Sequence, residues 1–548
     1  MLVTTYKKSD LKEFGPFYYA ENRANVKLEK DDNLMLFKGY LYPDLKEKIE
    51  DLFSFLETKG VNEGVKSFKG RYCGCFINKK DNCAIIFNDQ LGLNDIFYYY
   101  DNDHFIAGDR FTDFFSIRKF NKDDLDVVAM AEFLLYEYPF CDRTFLKDVK
   151  LLPVATIKMF DIGASKSRMI RYWQYIFNTD ENFDRERAFE KVDLLLRKSI
   201  NRIKALNPDK KFSIGLSGGY DSRLTAKYAV DAGIDIRAFV YNHDSSDAWY
   251  ISQKLAKKIG TPLKRLDIKN DFMSLKDMHI NYDPMHSLRY ASYCTVMNEL
   301  PEADALLTGY LGGTVFGSGI REYDFNPDMS IVEKNNKRAL TYQGKPFISE
   351  KVLQEIMDDF RRFEALDSED WKIGEIFYIE NRQLRFTKSS PNFNFYGRYE
   401  QYYSIFTDID LVEFLLTFPA EELMNNRFYH DFHKRYLPVI AKIRNERQAY
   451  TIYDGPLIKK LKSKALNFKI KLLKDFGIRL PIYRTINFLG HFNWQKLFEH
   501  SNFDQDFIDI EVQGIDAKKI KTLSDMTLSV KFHYLTLQNF MTRFIDKS

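Results

Sequence analysis

The segment Lys210–Gly233, KKFSIGLSGGYDSRLTAKYAVDAG, leaves few folds open to a chain that contains it. FSIGL is apolar enough for a buried strand, the following helix places Leu224, Tyr228, Ala229 and Ala232 on one stripe, and only SGGYD separates the two. The pattern continues as IDIRAFVY, DAWYISQKLAKKI and ALLTG, a strand, a helix with Ile251, Leu255 and Ile259 on one face, and a strand. Such alternation implies a parallel sheet covered by helices. In an open parallel sheet, ligands sit beyond the carboxyl ends of the strands, where a strand-to-helix turn directs backbone N–H groups and a helix N-terminus outward, so anions are favoured. Gly218 and Gly219 allow positive φ and close approach, Ser217 and Ser222 bring hydroxyls, and Asp221 is placed to hold a cation beside phosphates. The spacing fits neither a GxGxxG dinucleotide turn nor a GK[ST] P-loop.

The sequence before residue 180 has a different texture. LMLFKGYLY, GRYCGCFINKK, AIIFNDQ, IFYYY and HFIAGD are short, aromatic or β-branched runs separated by Asp, Asn and Gly, which predicts a mostly β unit. LKEKIEDLFSFLETKG interrupts them as a helix with Leu45, Ile49, Leu52, Phe53 and Leu56 at helical intervals. The polar bridge NTDENFDRERA reads as the linker, and the boundary falls near Asp180. Beyond Ile331 helices dominate, among them ISEKVLQEIMDDFRRF and LVEFLLTF, and they are expected to pack on the sheet as a helical lobe. No fixed-period repeat is present.

At 548 residues the chain is long enough for roughly two to four domains. A hydrophobic share of 45%, with 48 Phe and 34 Tyr, supports large cores and argues against disorder. The 81 basic and 78 acidic residues nearly cancel, to +3, so nothing global points to nucleic acid. The start, MLVTTYKKSDLKEFG, lacks an apolar signal core and no run suffices for a spanning helix, which predicts a cytoplasmic protein without a membrane span. Five cysteines make no disulfide framework, and Cys73 and Cys75, two apart in a strand, read as buried thiols. His243, His279 and His286 have no ligand spacing and read as polar contacts, and Asp247 as a helix N-cap. PLIKKLKSKALNFKIKLLKD carries seven lysines with Leu457, Leu461, Ala465, Phe468 and Leu472 on one stripe. The simplest reading is a packed helix with a solvated basic face, the alternatives being an anionic polymer, a peptide or a membrane surface behind it.

SGGYDS resembles the PP-loop, SGGxDS, of ATP pyrophosphatases, matching at Ser217, Gly218, Gly219, Asp221 and Ser222. Around it the chain is similar to the synthetase domain of the asparagine synthetase-like family. TGYLGGTVFGS resembles that family's second motif, SGxGxDExFGG, adding Gly309 and Gly312, and ERQAYTIYDG resembles the late segment with its catalytic lysine, which aligns with Arg447. FKGRYCGCFINKK, NDQLGLNDIFYYY and HFIAGDRFTDFF resemble its class II glutamine amidotransferase domain. The resemblance implies an Ntn-type αββα sandwich over residues 1–180, followed over 181–548 by a PP-loop parallel α/β domain with a helical carboxyl-terminal lobe. It further implies ATP and Mg²⁺ as cofactors, Asp221 as the metal ligand, and Asp221 and Arg447 as catalytic residues. The implied partners are a small, sugar-linked or peptide carboxylate and ammonia or an amine, with no nucleic acid; a homodimer is one assembly considered.

The departures are as informative as the matches. Leu2 stands where the family's nucleophilic cysteine would be, and Lys38, Gly39 and Tyr40 replace its NGE element, so no glutaminase activity is expected. The acidic pair of the second motif becomes Gly313 and Thr314, which leaves Asp304, Glu322 and Asp324 as candidate substitutes. Arg447 keeps a charge and donors but cannot act as a general base. The expected reaction is adenylation of a carboxylate and transfer of the acyl group to ammonia or an amine. A lasso-peptide or β-lactam-type cyclase and a catalytically impaired nucleotide-binding scaffold are the competing readings.

Overall fold

The computed structural model describes the chain apart from residues 21–23, 60–62, 102, 165, 243–247, 270–272, 340–346, 363–368, 387–398, 400, 447, 477–511, 523–527 and 546–548. Its amino-terminal part consists of two six-stranded antiparallel sheets. One runs β10 (Lys150–Leu151), β8 (Phe97–Tyr100), β9 (Phe105–Gly108), β1 (Leu2–Thr4), β3 (Phe17–Tyr19), β2 (Lys12–Phe14). The other runs β12 (Lys166–Arg171), β11 (Thr156–Asp161), β7 (Cys83–Asn88), β6 (Gly70–Asn78), β5 (Asn33–Leu41), β4 (Val26–Lys30).

Alternation along β6 shows how the layers form. Cys73, Cys75 and Ile77 join Val3, Phe17 and Leu36 between the sheets, whereas Tyr72 and Phe76 cluster with Leu52 and Phe53 of helix α1 (Ile49–Lys59) on the outer face. Burial pushes the Cys73 thiol up to about 12, so it packs as a small apolar side chain, as its spacing predicts. Helix α2 (Val127–Tyr136), capped by the Asp126 carboxylate, shares a core with Phe97, Tyr99 and Ile106 of the first sheet. The result is the four-layer αββα arrangement expected from the sequence.

Helix α3 (Arg185–Leu206) begins inside the stretch read as linker, because Asp184 accepts from the N–H groups of Glu186 and Arg187 and so caps it. The parallel sheet follows, ordered β15 (Leu263–Asp267), β14 (Ile236–Asn242), β13 (Phe212–Gly215), β16 (Ala305–Leu307), β17 (Tyr402–Tyr403). Phe212 pairs with both Ile236 and Ala305, so the carboxyl ends of β13 and β16 emerge side by side. Helices α4 (Tyr220–Asp231) and α5 (Ala248–Ile259) take the predicted positions. The helix expected from ISEKVLQEIMDDFRRF is α6 (Glu350–Arg361), capped by Ser349.

Two expectations about the carboxyl-terminal part need correction. Ile409, Phe428 and Phe432 do pack in the core of the parallel sheet, but the last helix, α9 (Leu528–Phe544), returns to the amino-terminal part. There His533 bonds the Leu134 carbonyl at 3.1 Å and Phe540 meets Phe111 and Phe145. It is enclosed on several sides, burying polar Lys531, His533, Thr536 and Gln538 along with Val530, Phe532, Leu535 and Leu537. In the lysine-rich helix α8 (Pro456–Phe476), Leu457, Leu461, Ala465 and Phe468 face solvent and Leu466 is the buried one among the described side chains; the side chain of Leu472 lies outside them. Spacing reports which side chains share a face, not the direction in which that face looks.

Candidate functional site

Strand β13 ends at Gly215, and the chain turns through Ser217 and Gly218 into α4, with Gly219 at the N-cap position. Gly218 has φ +80°, and a Cβ there would lie 3.0 Å from Ile251 Cγ2, so both conformation and space select glycine. The Ser217 hydroxyl is exposed and its contacts are long, 3.4 Å to the Gly219 N–H and 3.4 Å to the Ser222 hydroxyl. The first turn of α4 begins at this turn and, like any helix start, has N–H groups without intrahelical acceptors, as an anion site requires.

The second motif meets the first at Asp221. A Cβ on Gly312 would come within 2.5 Å of Asp221 Cγ, and one on Gly309 within 2.7 Å of Asp221 Cβ. Glycine at both positions is therefore what lets the turn after β16 lie against α4. At Gly313, which stands in place of an acidic residue, the situation differs. A Cβ there would meet nothing closer than Ser318 Cβ at 3.6 Å, with Asp221 Oδ1 at 3.8 Å.

Three residues not singled out in the sequence brace this junction. Tyr429, in α7 (Arg427–Tyr436), donates its hydroxyl to Asp221 Oδ1 at 2.7 Å, and burial together with the Asp221 charge holds its phenol well above the ordinary range. Arg223 is fully buried and donates to the carbonyl oxygens of Gly218, Gly219, Ile440, Ile443 and Arg444. Burial pushes its guanidinium down to about 10, which leaves it charged at neutral pH. His433 faces the Tyr220 carbonyl at 3.2 Å and the Tyr429 carbonyl at 2.9 Å, and burial pushes it down to about 3. Arg223 had a local signal, since it directly follows SGGYDS and lies one helical turn from Gly219. Tyr429 and His433 had none, being far away in sequence.

Arg447, His243 and Asp247 lie outside the described residues. The neighbours of Arg447 do not: a Cβ on Gly218 would be 3.4 Å from Glu446 Cβ, and Arg444 donates to the Gln448 carbonyl at 3.1 Å. The segment aligned with the catalytic lysine thus passes beside the Ser217–Ser222 turn. The candidate substitutes for the missing acid are placed differently. Asp304 precedes β16, at the amino ends of the strands, and accepts from the Lys211 N–H at 2.8 Å. Glu322 is exposed, and Asp324 accepts from the Arg321 N–H at 2.7 Å, capping its own turn. His279 and His286 are buried; His279 Nε2 lies 2.7 Å from the His286 carbonyl, in keeping with a polar contact, whereas the His286 ring packs against the Tyr290 ring at 4.6 Å.

Where the amino-terminal sheets meet the parallel-sheet part, a cavity of about 300 Å³ opens among Lys38, Tyr40, Arg71 and Asp109 on one side and Tyr282 and Tyr402 on the other. Lys38 is ion-paired with Asp109, whose other oxygen lies 2.6 Å from the Met1 α-amine. Although burial opposes it, these two cations hold the Asp109 carboxyl down to about 2. Leu2 is buried in β1, paired across from Gly108.

No protein-family model matches the chain. A putative glutamine-hydrolysing asparagine synthetase of Methanocaldococcus jannaschii is 24% identical over 213 residues, which span 36% of this chain and 40% of that relative. Among solved structures, an NAD⁺ synthetase from Burkholderia pseudomallei aligns with 14% identity over 48% of this chain and 94% of its own, at a TM-score of 0.19. A glutamine-dependent NAD⁺ synthetase from Acinetobacter baumannii aligns with 14% identity over 44% and 42%, at a TM-score of 0.18, overlaps too low to bear on the fold. In sequence, the chain is similar to the asparagine synthetase-like family, as its SGGYDS turn and companion motifs indicate.

Proposed function

We propose that the chain is an ATP-dependent amide-forming ligase, organised as an amidotransferase-like part over residues 1–180 without glutaminase activity and a synthetase part over 181–548. The observation that carries this reading is the convergence on Asp221 of the Ser217–Ser222 turn, the Gly309–Gly312 turn and Tyr429, with the 440–446 segment tied to the same turn through Arg223.

In this proposal a substrate carboxylate oxygen attacks the α-phosphorus of ATP; the new O–P bond forms as the bond to pyrophosphate breaks. The N–H groups of the turn, with the Ser217 and Ser222 hydroxyls, hold the departing pyrophosphate. Ammonia or an amine then attacks the acyl carbon, AMP leaves, and the nitrogen loses a proton to solvent or a nearby base. Arg447 steadies the negative charge that develops in these steps. Asp221 fits Mg²⁺ as one carboxylate, with water and phosphate oxygens completing the shell, and the ion would neutralise phosphate charge there. Among the described residues no group of three metal-binding side chains is present.

The scaffold reading keeps one specific observation in its favour, the absence of a carboxylate at Gly313. The deciding assay follows pyrophosphate release from ATP and Mg²⁺ across a panel of carboxylates, with ammonia, amines or glutamine as nitrogen source. Release with ammonia or an amine, and none driven by glutamine, is expected. Glutamate formation abolished by mutation within residues 1–40 would defeat the glutaminase claim. Absence of both release and nucleotide binding would leave the scaffold.

A further inference from the structure

Helix α8 is a surface element with its apolar stripe turned outward. Leu457 is 70% exposed, Leu461 58% and Phe468 61%, with Ile458 beside them at 47% and Tyr453, just before the helix, at 43%. At 100° per residue the first three lie within about 40° of one another and extend along about 16 Å of helix. Large apolar side chains that share a face of this length are not the scattered exposure ordinary for a soluble surface.

The charged side chains that the helix itself carries beside the stripe are all lysines. Lys460 and Lys464 are exposed on one flank, and Lys462 on the other is bound to Asp454 at 2.7 Å. Between Pro456 and Phe468 there is no acidic residue. The opposite side anchors the helix, with Leu466 buried and Lys459 over the Tyr450 ring. Among the described residues no helix is long and apolar enough to cross a membrane.

We infer that α8 docks this protein on an anionic lipid surface, lying in the interface with Leu457, Leu461 and Phe468 among the acyl chains and the flanking lysines at the headgroups. The chemistry selects this occupant. A convex helix face suits a planar surface better than an acidic peptide, which would need a groove. Nucleic acid would engage the lysines and could stack on Phe468 alone, but would gain nothing from Leu457 and Leu461. An interfacial helix requires a lysine-flanked apolar face without acids, and membrane affinity grows with both buried apolar area and anionic lipid.

The test uses the full chain and vesicles of phosphatidylcholine with or without phosphatidylglycerol, measured by co-sedimentation at low and high salt. Binding to the anionic vesicles at least tenfold stronger than to the neutral ones, and weakened by salt, is expected. The triple variant Leu457→Ser/Leu461→Ser/Phe468→Ser should lose at least tenfold of that binding, and Lys460→Gln/Lys464→Gln a smaller factor, while both melt at the wild-type temperature. No preference for anionic vesicles overturns the inference, as does unchanged binding by the triple variant. A triple variant that melts several degrees lower shows that the stripe is covered by the chain itself, and a dimer dispersed by the same variant shows that it is covered by a second copy. Either result overturns the inference as well.

Discussion

The two polar clusters of the molecule satisfy their groups in opposite ways. Around Asp109 the charges answer one another: the carboxylate takes Lys38 on one oxygen and the Met1 α-amine on the other, inside a sandwich that buries it. Around Asp221 the strong contacts are aimed at the backbone. Arg223 and His433 bond or face main-chain carbonyls and Asp221 accepts from the Tyr429 phenol at 2.7 Å, whereas the Ser217 and Ser222 hydroxyls have only long contacts at 3.4–3.5 Å. A cluster that neutralises itself is a structural device. One whose frame is braced while its hydroxyls keep only long contacts fits the phosphate-holding role proposed for it.

The sharpest way to break this contrast is to mutate both carboxylates. Asp221→Asn should abolish magnesium-dependent ATP binding with the fold intact, measured by calorimetry alongside circular dichroism, since an amide keeps the Tyr429 hydrogen bond and loses only the charge. Full retention of binding would remove Asp221 from the site. Asp109→Asn should do the reverse. Taking the shared carboxylate from Lys38 and the buried Met1 α-amine should lower the denaturation midpoint, while nucleotide affinity per folded molecule stays at the wild-type value. A comparable loss of affinity would mean that the two regions are coupled.

Arg447→Ala sharpens the catalytic side and should lower turnover by about 10²-fold, as loss of one electrostatic donor commonly does, without altering the melting temperature. A folded variant with a near-normal rate would show that the alignment of this segment is misplaced. Acidification separates the clusters next. Buried His433 and His279 have folded values of about 3 and about 4, below the unfolded value, so the unfolded chain binds protons first and stability falls as pH drops below about 6.5. Each should cost ~2 kcal/mol by pH 5. Asp109, depressed to about 2, loses its contribution only as pH falls from about 3.8 towards that value. Because buried Asp283, raised to about 7, works in the opposite sense, the check is a difference: the midpoint should change less steeply between pH 7 and 5 in His433→Asn than in the wild type, and equal slopes would contradict this order.

The legible part of the molecule was local. The strands β5 to β9, the turn at Gly218 and helices α4 and α5 follow from alternation, helical stripes and glycine chemistry within a few residues of each other. Parallel pairing at Tyr402–Tyr403 could not be read, because two residues carry no periodicity and the partner strand ends at Leu307. Helix α3 was obscured by a polar amino terminus that serves as its cap. At the site, the motif named Ser217, Asp221 and the glycines, but Tyr429 reaches Asp221 across 208 positions. What braces a site is chosen by packing, which spacing does not encode. The stripe of α8 shows the same limit from the surface: its periodicity was evident and its direction was not.

The smallest expected effect concerns Gly313, and it addresses whether the braced site still works as one. If the second motif lost its acid because the turn had closed up, aspartate at 313 would clash. The space around the missing Cβ instead has Ser318 at 3.6 Å and Asp221 Oδ1 at 3.8 Å, ordinary contact distances, and Gly313 is not among the residues with positive φ. Gly313→Asp should therefore fold normally and place a second carboxylate beside the first. Two adjacent carboxylates repel when alone and are reconciled by a divalent cation, so the variant should be unchanged or slightly less stable without magnesium. With magnesium, its ATP affinity should equal the wild-type value or exceed it a few-fold. Calorimetry on the two proteins with and without Mg²⁺ separates the outcomes. Weaker binding in the presence of magnesium would mean that the site around Asp221 has no place for a second ligand, and with it would go the view that one carboxylate is the remnant of a metal-holding pair.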